Sequence, residues 1–541
     1  MIGIHRRMRQ VAAGVTGSAV LASALVACSS EDAREEVEAE KFGYVLPRPI
    51  VTMNAGTGIG VATDAEKVAA RLYPGAFLAG PDGQLLPNPD LVTATPEPRD
   101  AKVVKYEINP QAKYSDGAPV VCDDFLLTQT ASTRPDLFGA DMPLFSQVSS
   151  IDCEAGAKTF TVNFNEGFGA RFRELFTPGT VLPSHVVSDK AGVDGVVDVI
   201  RNYDENSLAA LGQAWQETFT VDKNDPATVP THGPYKVASR GDKGQLTLAP
   251  NPNYAGDKPL QPEVVLWPNT ANIKEIVEKG SLAVADLNAS EDPSAMGIQE
   301  PDFMVEEHES GRVDTLRLDS NGLFALPDMR KAFNACIDRE MIVKKIEREM
   351  ETQITPTGLR MLPTRHPLAQ QLERTSRWNM RVDKEFAQQW LNGTTVRIGY
   401  LEDVPRYKVL VDGIRESCAQ AGVTVEPVPL KADDYGVFGA DYDVLLDTRP
   451  SFGRNSVTNA NGLSSVGAVR KVELALQSEM MTISLTSEPR MTAVEAHVAN
   501  VSDNAGDAGL SWNMDRWREM PEPVNKPVDT SSLPADNPDA V

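Results

Sequence analysis

The stretch KYSDGAPVVCDDF, residues 113–125, combines a strand end, a tight turn and the start of a helix. Apolar and polar residues alternate over residues 102–108, which is typical of a half-buried strand. Asp116 and Gly117 then form a strong turn signal, and a helical pattern begins near Asp123. The stretch therefore predicts scaffold, a strand joined to a capped helix, rather than a set of ligand-binding groups.

A βαβ pattern in the later half of the chain indicates an α/β fold class. Residues 396–401 predict a strand, and residues 423–426 predict a second strand directly after Gly422. Between them lies an apolar stripe at helical spacing, formed by Val411, Ile414, Cys418 and Ala421. Residues 442–446 predict a further strand, so that strands and helices alternate as in βαβ units.

The N-terminus has the parts of a secretory signal. Arg6, Arg7 and Arg9 precede an apolar run over residues 11–27, an arrangement typical of an export signal rather than of a membrane span. The run ends in Leu-Val-Ala-Cys, residues 25–28, which resembles the lipobox of bacterial lipoproteins. The alternatives are an ordinary signal peptide with a chance cysteine and a twin-arginine signal, which the following residues fit poorly.

This resemblance implies that Cys28 is the lipid anchor. In such lipoproteins a diacylglyceryl group is attached to the cysteine before cleavage, and acyl chains such as palmitate hold the protein at the membrane. We therefore expect a signal peptide over residues 1–27 and a charged tether over residues 28–42. The expected location is the extracytoplasmic face of the cell membrane.

Composition favours a large exported protein that does not bind nucleic acid. Loss of residues 1–27 removes three of the 52 basic residues and none of the 76 acidic ones, so the formal net charge falls from −24 to −27. A surface of this charge repels phosphate backbones. With 41% hydrophobic residues the chain can build a large core, and its length of 541 residues favours more than one domain. Residues 521–541, which are rich in Pro, Asp and Ser, predict a disordered tail.

Four cysteines remain after the predicted cleavage, and an even number in an exported chain favours disulfides. Four cysteines allow three pairings, and nearness in sequence leads us to expect Cys122 with Cys153 and Cys336 with Cys418. A metal site would need closely spaced pairs such as CxxC, which the sequence lacks, so no metal is expected.

The sequence contains no motif that requires catalysis or a cofactor. It has no HExxH, no GxSxG and no phosphate-binding loop ending in Gly-Lys-Ser/Thr. The glycine-rich residues 56–60 lack the dinucleotide fingerprint and predict a bend between strands, while Asp433 and Asp434 predict a solvated loop. We therefore expect a protein that is not an enzyme.

Several blocks resemble, in the same order, those of the extracellular solute-binding proteins of family 5, the peptide- and nickel-binding receptors of ABC importers. The blocks are residues 113–125 (KYSDGAPVVCDDF), 231–235 (THGPY), 251–254 (NPNY), 275–286 and 328–340 (DMRKAFNACIDRE). The resemblance implies a two-lobed periplasmic-binding-protein fold of class C, with a hinge and a cleft between the lobes. It places lobe 1 at residues 43–270, completed by residues 479–520, and lobe 2 at residues 271–478.

The chain departs from this family after the strand at residues 442–446. Peptide binders continue there with an aromatic and acidic stretch, whereas this chain continues with DTRPSFGRN, residues 447–455. Asp447 would meet an ammonium group and Arg449 or Arg454 a carboxylate or phosphate, or else Arg449 pairs with Asp447 and the cleft is specialised or closed. The candidate ligand-binding residues are Asn54, Thr57, Asp447, Arg449, Phe452 and Arg454.

Two functions fit these observations. The first is a monomeric receptor that captures oligopeptides or a related solute between its lobes and delivers them to an ABC permease. The second is a regulator that resembles the LpqW-type lipoproteins of mycobacteria and corynebacteria. Such a protein would act on cell-envelope mannolipid (lipomannan and lipoarabinomannan) synthesis through a membrane partner such as a glycosyltransferase, without transport.

Overall fold

The computed structural model describes residues 42–81, 84–432, 434–450, 465–504 and 506–525. The predicted signal peptide, the tether up to residue 41 and the anchor Cys28 lie outside these residues. So do Asp433, Phe452, Arg454 and residues 526–541 of the predicted tail. Within residues 521–525, the Asn525 side chain donates to the carbonyl groups of Glu495 (3.0 Å) and Val498 (2.7 Å).

Strands and helices alternate along the described chain. The strands are β1 (Gly43–Val45), β2 (Phe77–Ala79), β3 (Leu85–Pro87), β4 (Val92–Glu97), β5 (Asp100–Ile108), β6 (Val148–Asp152), β7 (Thr159–Phe164), β8 (Tyr235–Arg240), β9 (Leu246–Pro250), β10 (Val264–Trp267), β11 (Leu282–Asn288), β12 (Phe303–Leu318), β13 (Thr395–Leu401), β14 (Thr424–Leu430), β15 (Val444–Pro450), β16 (Thr482–Glu495), β17 (Val498–Ala499) and β18 (Arg518–Glu519). The helices are α1 (Gly58–Ala62), α2 (Ala65–Ala69), α3 (Cys122–Thr133), α4 (Pro135–Phe138), α5 (Ser184–Ala191), α6 (Val196–Asn202), α7 (Glu205–Glu217), α8 (Ile273–Glu278), α9 (Pro327–Cys336), α10 (Arg339–Met350), α11 (Pro367–Gln370), α12 (Glu373–Asn379), α13 (Lys384–Leu391), α14 (Pro405–Ala419) and α15 (Val466–Glu479).

Ten strands form one mixed sheet in the order β14-β13-β15-β12-β16-β11-β1-β10-β9-β8. Strands β13, β14 and β15 are parallel to one another, while β12 and β16 pair with their neighbours in antiparallel fashion. A separate sheet, in the order β4-β5-β7-β6, is antiparallel. The predicted α/β class and the βαβ unit β13-α14-β14 are confirmed.

The two long central strands β12 and β16 connect the two halves of the ten-stranded sheet. Their pairing is interrupted, because Glu309 is opposite Pro489 and Val313 is opposite Ser487. Three residues of β12 therefore face one residue of β16, which is a bulge. Before the bulge β16 also pairs with β11, and beyond it β12 also pairs with β15.

Two large hydrophobic cores lie on the two sides of this bulge. The first core is built from residues between Phe42 and Val284 together with the returning segment around Trp517, whose ring packs against Tyr44 with centroids 5.2 Å apart. The second core is built mainly from residues between Leu316 and Leu485. The chain thus returns to the first core after β16, while the predicted lobe boundaries stay a prediction.

The block at residues 113–125 forms the predicted scaffold. Gly117 has a φ of +96°, a left-handed conformation that suits glycine in the turn. Helix α3 begins at Cys122, and the Asp124 carboxylate accepts from the Val121 N–H (2.9 Å) and the Ser184 hydroxyl (2.6 Å). Burial raises the pKa of Asp124 to about 6, although these hydrogen bonds oppose the shift.

The structure contains two disulfides, Cys122–Cys153 and Cys336–Cys418, which is the pairing that we expected from the sequence. The first joins α3 to the end of β6, and the second joins α9 to α14.

The glycine-rich residues 56–60 differ from expectation. They do not bend between strands but begin helix α1, because the Thr57 hydroxyl accepts from the Gly60 N–H (3.0 Å) and caps the helix.

His232, in the block THGPY, is buried between the rings of Tyr73 and Tyr114 and contacts the Val181 carbonyl through Nε2 at 3.2 Å. The next residue must be small, since a Cβ at Gly233 would lie 2.3 Å from the Arg71 carbonyl oxygen. Desolvation lowers the pKa of His232 from 6.5 to about 4.

Because the pKa of His232 is lower in the folded than in the unfolded chain, its neutral form stabilises the fold above pH 6.5. This contribution is lost as the pH falls toward 4, and amounts to about 3 kcal/mol. In urea unfolding, we expect the stability advantage of the native protein over His232→Gln to shrink by about that amount between pH 7 and pH 4. Asp124 titrates in both proteins and cancels in the difference. A difference that is the same at both pH values would contradict the expectation.

Candidate functional site

Two candidate residues from the first core, Asn54 and Thr57, belong to the turn before α1. Asn54 is fully buried; its Nδ2 donates to the Trp215 carbonyl (3.1 Å) and its Oδ1 accepts from the Gly56 N–H (2.9 Å). Thr57 donates to the Asn54 carbonyl (3.1 Å) and caps α1. The polar atoms of both side chains thus hold the turn together.

The other described candidates, Asp447 and Arg449, lie on β15 and bind each other. Arg449 donates through Nε and Nη2 to the two carboxylate oxygens of Asp447, at 2.7 and 2.6 Å. Nη2 also donates to Asp141 Oδ2 at 2.8 Å. Both β15 side chains are nearly inaccessible to solvent. This is the bidentate geometry in which arginine binds a carboxylate most strongly.

Asp141 joins this pair to the first core. Its backbone N–H donates to the Gly56 carbonyl (2.8 Å), beside the turn that contains Asn54 and Thr57. Its other carboxylate oxygen accepts from Arg317 of β12 at 2.8 Å. We call Asp141, Arg317, Asp447 and Arg449 the cleft cluster. It contains two acids and two bases, so its formal charge is zero.

The electrostatics of the cleft cluster favour the ion pairs over free charges. Burial alone would lower the pKa of Arg449, but the nearby carboxylates of Asp141 and Asp447 outweigh burial and raise it well above its ordinary value. Losing one partner of such a buried pair leaves the other charge uncompensated, at a cost of about 3–5 kcal/mol. The cluster is therefore a strong internal link between the first core and β15.

A second group of charges lies at the bulge of β12, and we call it the hinge cluster. It consists of Asp64, Arg312, Glu488 and Asp507. Arg312 lies 2.8 Å from Asp64 and 3.2 Å from Asp507. Ser310 donates to Glu488 at 2.7 Å. Asp64, Arg312 and Glu488 are each buried.

Further buried ion pairs surround the hinge cluster. Asp286, at 0% exposure, accepts from Lys67 (2.7 Å) and from two nitrogens of Arg490 (2.5 and 3.1 Å). Asp314 accepts from Arg406 at 2.8 and 2.9 Å. The cavity bordered by several of these side chains has a volume of about 10 Å³, which is room for one water molecule at most.

A larger cavity, of about 780 Å³, lies beside β5, β7 and α6. Of the predicted ligand-binding residues that the structure describes, which are Asn54, Thr57, Asp447 and Arg449, none lines it. The sequence also gave no direct signal for Asp141, Arg312 or Glu488, because an isolated charge in a sequence is most often solvated. Asp286 had a stronger signal in the sequence, since it ends the block at residues 275–286 that resembles family 5 proteins and follows an apolar run.

A comparison with protein families matches residues 87–456 to the model described as bacterial extracellular solute-binding proteins, family 5 Middle. The matched residues include β15, the whole cleft cluster and, of the hinge cluster, Arg312. The chain belongs to the bacterial extracellular solute-binding proteins of family 5. The predicted family is thereby confirmed, and its members are solute-binding proteins rather than enzymes.

Among similar proteins, the uncharacterized lipoprotein Rv2585c of Mycobacterium tuberculosis is 27% identical over 562 residues, covering 95% of this chain and 98% of that protein. The probable monoacyl phosphatidylinositol tetramannoside-binding protein LpqW of Mycobacterium tuberculosis is 26% identical over 294 residues, covering 51% of this chain and 40% of LpqW. Proteins similar to this chain thus include a mycobacterial protein that is named a lipoprotein.

Solved structures share the fold. The periplasmic EDTA-binding protein EppA has a TM-score of 0.63 at 18% identity, with 89% of this chain and 96% of EppA covered. The oligopeptide-binding protein AppA of Bacillus subtilis, in complex with a nonapeptide, has a TM-score of 0.62 at 12% identity, with 89% and 99% covered. The predicted two-lobed binding-protein fold is confirmed.

In the part of the chain that the structure describes, no helix combines the length and the apolar character that a membrane span requires.

Proposed function

We propose that this family 5 protein is a lipid-anchored regulator at the extracytoplasmic face of the membrane. It would act on cell-envelope mannolipid synthesis through a membrane partner and would not capture free oligopeptides for import. The observation that carries the proposal is the pairing of Arg449 with both Asp447 and Asp141. The protein itself supplies the cation that a peptide ammonium would provide at this position.

Peptide capture at Asp447 would have to break this pairing. An incoming ammonium group gains a charge-assisted hydrogen bond to Asp447 only if Arg449 leaves a carboxylate that it binds through two nitrogens. Arg449 would then remain with Asp141 alone in a buried environment, which costs several kcal/mol. Affinity for free peptides is expected to be lower by that amount.

The names of the similar proteins also favour a regulator over a peptide receptor. Rv2585c, which matches nearly the whole chain, is named a lipoprotein, and LpqW is named for binding a mannosylated phosphatidylinositol. The predicted lipobox at Cys28 would keep this chain beside a membrane partner such as an envelope glycosyltransferase.

The second candidate function is the transport receptor, in which an oligopeptide or a related solute is delivered to an ABC permease. It is favoured by the position of Asp447 on β15, within the cleft cluster, and by the fold that this chain shares with AppA. In this function a bound peptide would replace Arg449 at Asp447.

Thermal unfolding separates the two candidates. The chain that begins at Ser29 retains every residue of the hydrophobic cores, which lie between Phe42 and Trp517. We expect peptide pools at millimolar concentration to leave its melting temperature unchanged, and the lipid-anchored protein to co-purify with a glycosyltransferase from membranes. A receptor would instead gain about 2.7 kcal/mol from a ligand at one hundred times its Kd, which raises the melting temperature of a chain of this length by about 2–3 degrees.

The matched control is Asp447→Asn, which removes the carboxylate but keeps the size of the side chain. Stabilisation by peptides that disappears in this variant would overturn the regulator and establish Asp447 as the ammonium site. Stabilisation by a mannosylated phosphatidylinositol, with none by peptides, would support the regulator.

A further inference from the structure

The bulge in β12 places one arginine between the two halves of the molecule. Residues 310–312 of β12 face Glu488 alone on β16, at the point where the two hydrophobic cores meet. Strands that connect two compact units are where relative movement is absorbed, because few other backbone links cross there. The side chain of Arg312 emerges at this point and is buried.

The Arg312 guanidinium contacts both sides of the bulge with a single nitrogen. Nη2 donates to Asp64 Oδ1 at 2.8 Å and to the Thr448 carbonyl at 2.8 Å. Asp64 precedes α2, which packs in the first core, whereas Thr448 lies on β15 beside the second core. Nε lies 3.2 Å from Asp507, in the segment that returns to the first core.

Thr448 connects this arginine to the cleft cluster. Thr448 lies between Asp447 and Arg449 on β15, and its backbone carbonyl accepts from Arg312, whereas the Arg449 side chain donates to Asp141. The Thr448 hydroxyl also donates to Asp314 at 2.7 Å. A movement of β15 that changes the cleft cluster therefore changes the contacts of Arg312.

Charge favours the contact between Arg312 and Asp64, and the contact holds Asp64 in an uncommon backbone conformation. Asp64 has a left-handed φ of +54°, an uncommon conformation for a residue with a side chain, and its carboxylate is fixed by Arg312 and lies 3.8 Å from Arg48. Burial would raise the pKa of Asp64, but Arg312 and Arg48 outweigh it and hold the pKa well below the ordinary value. Asp64 is thus ionised in the contact.

We propose that Arg312 is a latch that holds the two cores together. Its contacts with Asp64 and with the Thr448 carbonyl join the first core to β15 and hold the two cores in this arrangement. Separation of the cores breaks the contact with Asp64 and leaves Arg312 with β15. The latch does not depend on which of the two candidate functions the protein has.

The test measures the distance between the cores directly. Spin labels are attached to cysteines introduced at Leu260 and Leu474, which are 50% and 54% exposed, in the oxidised chain that begins at Ser29. The native cysteines of this chain are held in disulfides and do not take the label. We expect a single short distance for the unsubstituted protein. For Arg312→Met we expect a longer-distance population at least about tenfold larger.

The matched control is Arg71→Met, which removes a buried arginine whose carboxylate partner Asp515, at 3.2 Å, lies in the segment that returns to the same first core. It is expected to leave the distance distribution unchanged. Asp64→Asn removes only the contact on the first-core side of the latch. It should increase the population with the longer distance, but by less than Arg312→Met does. It provides the same test should Arg312→Met fail to fold. Folded Arg312→Met or Asp64→Asn protein with the unsubstituted distribution would overturn the proposal.

Discussion

Replacement of Asp286 by asparagine is expected to lower the free energy of unfolding by about 3–5 kcal/mol, which is a large part of the stability of a typical protein. Asp286 is fully buried and is the carboxylate that both Lys67 and Arg490 bind. Burial opposes ionisation of Asp286, but the two cations outweigh it and lower its pKa. Asparagine keeps the shape but leaves two buried cations with one carboxylate fewer.

Urea unfolding at pH 7 of the chain that begins at Ser29 measures this effect. Lys67, at 2% exposure, has no other ion-pair partner among the contacts that the structure describes, whereas Arg490 retains Asp503 at 2.9 Å. The loss is therefore expected to arise mainly at Lys67, and Lys67→Met in the Asp286→Asn background should recover part of it, because the double variant no longer buries the lysine charge.

The matched control for Asp286→Asn is Glu275→Gln, which also removes one carboxylate bound by two cations, Lys243 and Lys279. These three side chains are exposed or half-exposed, so solvent screens the pairs and the expected loss is small. Equal losses in the two variants would mean that the buried position of Asp286 has no energetic importance.

The regular elements of this fold could be predicted because their signals are local. The alternation at residues 102–108, the Asp-Gly turn and the apolar stripe on α14 each depend on neighbours within a few residues. Strand β15 shows the limit of local signals. The apolar pattern predicted it over residues 442–446, but it runs from Val444 to Pro450, because pairing with β12 continues through polar residues.

The cleft cluster could not be predicted without knowledge of the tertiary structure. The pairing of Arg449 with Asp447 was one of two alternatives visible in the sequence, since the two residues are close on one strand face. Asp141 was not visible, because it is separated from Arg449 by 308 residues and resembles any solvated aspartate. Residue type was also ambiguous for Asn54 and Thr57, since amide and hydroxyl groups that suit a ligand also suit turns and helix caps.

Charge composition was informative only about the surface. A net charge of −24 argues against nucleic acid as a partner, but it does not reveal that several arginines are buried with matched carboxylates. Such pairs stabilise little relative to an apolar core and are costly to break singly. Their value in this chain is that they fix how the two cores meet, which neither propensity nor periodicity encodes.

Cys28→Ala is expected to have the largest effect on location, a shift of nearly all of the protein from the membrane fraction to the soluble one. If the predicted lipobox is used, the cysteine carries at least two acyl chains, and each buried CH₂ contributes about 0.8 kcal/mol to membrane binding. Alanine cannot form the thioether through which the lipid is attached. Cell fractionation followed by intact-mass measurement of the protein checks both the location and the added lipid.

Ser29→Ala is the matched control, because it changes the adjacent residue and leaves the thiol in place. It should stay with the membrane and keep the lipid mass. If the Cys28→Ala protein stays in the membrane because its signal peptide is not cleaved, its measured mass will include residues 1–27. In that case the chain from Ser29, exported behind an ordinary cleavable signal, is used as the unanchored protein. A wild-type protein without lipid mass, or a processed Cys28→Ala protein that stays in the membrane after a carbonate wash, would show that residues 25–28 do not act as a lipobox.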